Sequence, residues 1–101
     1  ALSGSGPAFI ACILDTFAKA GEKQGLSKEI SYKLALQTLF GTAKLLRETG
    51  EKPESLIKRV ASPHGTTIAG LNVLEKSGIR SIMEKTIEAA AKRSKELGKD
   101  E

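Results

Sequence analysis

Hydrophobic residues recur along most of this chain at three- and four-residue spacing, and the interruptions fall on Gly and Pro. That pattern predicts helices separated by short turns. Pro7 suits the first turn of a helix because its missing N–H would have no intrahelical partner, and the helix it opens is expected to run to about Lys19. Gly21 and Gly25 break the pattern, and Ser27 then stands as N-cap of a long segment, about 28–49, that ends at Gly50 in the position of a left-handed C-cap. Pro53 opens a short helix of about 53–60, ended by the Ser62-Pro63 turn. Thr66 or Thr67 can cap the next helix, about 67–77, which Gly78 closes. The last, about 79–97, turns Ile79, Ile82, Met83, Ile87, Ala90 and Ala91 toward a core and stops at Gly98. No stretch alternates with period two, so the expectation is an all-α fold of about five helices in a single domain over residues 1–101.

The segment Ala8-Phe9-Ile10-Ala11-Cys12-Ile13-Leu14 departs from this amphipathic pattern. It is apolar on every face, as only a helix covered on all sides should be. A chain of 101 residues with 40% hydrophobic residues, no Trp, one Tyr and three Phe must build its core from aliphatic side chains. Such a chain buries roughly 60–70% of its unfolded surface. Full burial of one helix is hard to supply from that resource, which points to a second subunit or domain. Cys12, the lone cysteine, lies among those apolar residues and reads as a small buried hydrophobe rather than a nucleophile; one cysteine excludes an internal disulfide and suits a reducing cytoplasm. No apolar run reaches the roughly 18–20 residues that span a bilayer. The net charge of +4 concentrates mildly at Lys92, Arg93, Lys95 and Lys99 without interleaved aromatics, the pattern of a solvated helix face rather than a nucleic-acid surface.

Intrinsic chemistry is scarce. Gly4-Ser5-Gly6 resembles the start of a dinucleotide-binding G-x-G-x-x-G, but the third glycine position is Phe9 and no strand is predicted before it, so no cofactor site is expected here. One His and one Cys supply no metal cluster and no catalytic triad, and Glu84 and Glu88 are spaced as solvated i,i+4 carboxylates. What remains is Ala61-Ser62-Pro63-His64-Gly65-Thr66-Thr67, where hydroxyls stand beside a helix start. Free N–H groups and the positive end of the helix dipole make such a turn a seat for a carboxylate or phosphate; a turn with a simple cap has the same composition.

Several separated motifs resemble one family. Leu2-Ser3-Gly4-Ser5-Gly6-Pro7-Ala8-Phe9, Gln37-Thr38-Leu39-Phe40-Gly41-Thr42-Ala43-Lys44-Leu45-Leu46, Val60 through Leu71 with Leu74-Glu75, then Gly78-Ile79-Arg80-Ser81 and Arg93 through Gly98 are similar to the C-terminal domain of pyrroline-5-carboxylate reductase. The resemblance covers nearly the whole chain in order. It implies an all-helical, interleaved dimerisation domain that forms a homodimer, with larger assemblies of dimers also found in the family, in an enzyme that reduces (S)-1-pyrroline-5-carboxylate to L-proline with NADPH or NADH. The nucleotide would belong to an N-terminal Rossmann domain outside this chain, so this chain alone should be inactive. Carried over by position, Ser62, Gly65, Thr66 and Thr67 would bind substrate, with Thr67 as the catalytic-site hydroxyl near the ring nitrogen or carboxylate. The family's turn commonly has Gly where His64 stands; at positive φ the exchange would cost on the order of 1 kcal/mol, and the imidazole reads as a solvated side chain rather than a proton donor. A competing reading is a free-standing dimeric helical interaction module with a basic C-terminal helix, which salt-dependent nucleic-acid binding would favour.

Overall fold

Five helices are present in the computed structural model, which describes residues 2–61 and 65–98. They are α1 (Gly6–Lys23), α2 (Lys28–Thr49), α3 (Pro53–Ala61), α4 (Gly65–Lys76) and α5 (Ile79–Glu96), with no strand among the described residues. The helices divide into two units, residues 7–52 carrying α1 and α2, and a second carrying α3–α5.

In the first unit the helix boundaries follow local chemistry. Ser27 is extended (φ −65°, ψ 155°), and its hydroxyl oxygen accepts the Ile30 N–H at 3.2 Å. This satisfies one of the N–H groups that a helix start leaves without a carbonyl. Ser27→Ala is expected to lower unfolding stability by about 1 kcal/mol, read as a shift of the urea midpoint without a change in slope. Gly50, at φ 71°, donates its N–H to the Leu46 carbonyl and ends α2.

Gly21 does not break α1, contrary to the sequence reading; the helix passes through it to Lys23, and Gly25 at φ 106° is where the chain turns. The small size of Gly21 serves a different purpose. A Cβ there would overlap the Ser31 hydroxyl and stand 3.4 Å from Ser31 Cβ. That hydroxyl reaches across from α2 and donates to the Ala18 carbonyl at 2.5 Å. Ala18, Ser31 and Ala35 are buried, so the seam between α1 and α2 is made of small residues in close approach.

Either side of that seam is apolar and open. At about 100° per residue, Ile30 and Leu34 fall on one flank of Ala35, and Tyr32, Leu36 and Phe40 on the other. Their exposures run from 42% at Leu36 to 58% at Phe40. On α1, Ile10 and Phe17 are 47% and 57% exposed and Cys12 is exposed, so the single chain does not supply the burial expected of residues 8–14. Phe17, Leu26 and Leu34 border an open groove of about 330 Å³ floored by Gly21 and Ala35.

In the second unit α3 packs on α4 and α4 on α5. Ile57, Leu71, Leu74, Ile79 and Met83 surround an open hollow of about 450 Å³, and none of the three helices has a buried residue. Across the turn at Gly78 (φ 80°) the Arg80 guanidinium grips Glu75: Nε donates to both carboxylate oxygens at 3.1 and 3.3 Å, and Nη2 stands 3.0 Å from Oε1. Those hydrogen bonds first, and the Glu75 charge second, push the Arg80 pKa up.

Candidate anion-binding site

The expected seat for an anion is the start of α4. The helix begins at Gly65, two residues earlier than the sequence reading placed it, so Thr66 and Thr67 lie inside the first turn and are not N-caps. Gly65 has no positive φ and enters the helix directly. The amides of Gly65, Thr66 and Thr67 consequently have no carbonyl one turn behind them in the helix and face its N-terminal end. Three N–H groups and the positive end of the helix dipole converge there, an arrangement suited to a carboxylate.

Gly65 and Thr66 are exposed and Thr67 is half-buried. A methyl group at Gly65 would meet none of the described residues within 4 Å, and the helical backbone there does not require glycine. Ser62 and His64, the other two residues singled out in the turn, lie outside the described residues. Gly65, Thr66 and Thr67 follow one another along the first turn of α4, and none of the three titrates. The chemistry they offer is anion binding and hydrogen bonding by hydroxyl groups.

No other constellation among the described residues competes with it. None of their His, Cys, Asp and Glu side chains gather as a metal-binding group of three or more. No described helix is long and apolar enough to cross a membrane. Lys85, Lys92 and Lys95 line an open recess on α5, but Glu88 sits among them, leaving a solvated face of mixed charge.

Comparison with known proteins decides the family. The model for pyrroline-5-carboxylate reductase dimerisation matches residues 1–97. The chain belongs to that family. It is 51% identical over 98 residues to pyrroline-5-carboxylate reductase of Synechocystis, covering 97% of this chain and 37% of that protein. It is 48% identical over 99 residues to pyrroline-5-carboxylate reductase 1 of Bacillus subtilis, covering 98% of this chain and 33% of the relative. Among solved structures, the NADP-bound pyrroline carboxylate reductase of Plasmodium falciparum superimposes with a TM-score of 0.91 at 35% identity, over 96% of this chain and 37% of the other. The chain thus spans about a third of the length of these reductases. The resemblance read from separated motifs and the all-α fold are both borne out.

Sequence reasoning missed the seam of this reductase-family domain. Gly21 reads as a helix breaker in one dimension, and its pairing with Ser31 across the turn is visible only when α1 and α2 are laid together.

Proposed function

We propose that residues 1–101 act as a single dimerisation and substrate-binding domain of a pyrroline-5-carboxylate reductase that reduces (S)-1-pyrroline-5-carboxylate to L-proline. The observation that carries the reading is the α4 start at Gly65, which leaves three helix N-terminal amides beside two threonine hydroxyls. The substrate carboxylate would rest on the N–H groups of Gly65 and Thr66; Ser62, outside the described residues, is a further binding residue by resemblance alone. The Thr67 hydroxyl would meet the ring nitrogen or the carboxylate; as an acceptor it can hold the N–H of the protonated imine, the form whose carbon is electrophilic. The similarity of the chain to reductases over nearly its whole length supports this assignment.

NADPH or NADH would supply the hydride in the full-length enzyme. The residues present here do not fit the nucleotide, because Phe9 occupies the third glycine position of the fingerprint. The 101-residue chain is therefore expected to show no substrate-dependent oxidation of NADPH or NADH, followed by absorbance. Proline formation by this chain alone would overturn the division of labour.

The site itself is tested in the full-length reductase. Thr67→Val should lower kcat/KM tenfold to a hundredfold, about 1.4–3 kcal/mol of transition-state stabilisation, with the melting temperature nearly unchanged. Gly65→Ala should raise KM severalfold while kcat holds, because its methyl group crowds a bound carboxylate and none of the described residues. Wild-type KM and kcat in both variants would refute the site.

The domain would assemble as a homodimer, with further assembly of dimers, through the apolar flanks of α1 and α2. Support comes from the dimerisation family and from the half-exposed Phe17, Leu34 and Phe40, which remain in water in the single chain.

A further inference from the structure

We draw no further inference here: the strongest candidate, the apolar groove between α1 and α2 bordered by Phe17, Leu26 and Leu34, belongs to the self-association face already described, and nothing in the structure identifies another occupant.

Discussion

Phe17→Glu combined with Leu34→Glu will convert the protein to a monomer at micromolar concentration. The two side chains stand on facing helices at the rim of one groove, 57% and 54% exposed in the single chain. In a chain that stays monomeric, charge at such half-exposed helix positions changes stability little, within about 0.5 kcal/mol at each site. In the proposed homodimer the same positions lose water. Completing their burial is worth about 1 kcal/mol per side chain, since full burial of a Leu or Phe is worth 1.5–3. An unpaired carboxylate in the interface adds a desolvation penalty of several kcal/mol. A two-fold interface counts each loss twice. The total exceeds about 4 kcal/mol, so the dissociation constant should rise at least a thousandfold. Sedimentation equilibrium reads that change, and circular dichroism checks that the monomer keeps its helices. A double variant that dimerises as tightly as the parent would remove the α1–α2 groove from the interface; a parent that is itself a folded monomer would remove the dimer.

Gly21→Ala should destabilise the protein, against the usual direction for that exchange within a helix. In an open helix Ala gains about 0.5–1 kcal/mol over Gly by restricting the unfolded chain. Here the new methyl group overlaps the Ser31 hydroxyl, whose rotation is held by its hydrogen bond to the Ala18 carbonyl. Either α1 and α2 move apart or Ser31 abandons the bond. Overpacking of this kind costs about 1–3 kcal/mol and loss of the bond about 1, so after the helix gain is subtracted the net change expected is a loss of up to about 2 kcal/mol in chemical denaturation at fixed protomer concentration. Ser31→Ala alone should cost about 0.5–1.5 kcal/mol. The double variant is the sharper measurement. With the hydroxyl gone, the nearest atom to the new methyl group is Ser31 Cβ at 3.4 Å, an ordinary contact, so Gly21→Ala should be neutral or stabilising on the Ser31→Ala background. Additive losses would mean that the helices do not meet at this pair.

The two junctions of the fold differ in how far they can be read in advance. Ser27 and Gly50 announce the ends of α2, because capping uses a side chain and a backbone conformation within four residues of the helix terminus. Gly25, Gly78 and Gly98 likewise mark places where the chain turns at positive φ. Gly21 belongs to the same residue type and does something unrelated: its role depends on Ser31, ten positions away and on another helix. Local rules have no term for that distance. The start of α4 fell two residues early for a related reason. Threonine caps a helix readily, yet Gly65 takes up helical dihedrals and draws both threonines into the first turn.

Hydrophobic spacing and the placement of Gly and Pro were sufficient to determine five helices and their order, since each depends on residues near one another along the chain. The sequence also made residues 8–14 too apolar for a lone surface helix. Tertiary structure decided which small residues form the α1–α2 seam and which faces stay exposed beside it. Those properties depend on atoms brought within a few ångströms by packing, and hydrophobic periodicity says which face of a helix is apolar without saying what will cover it.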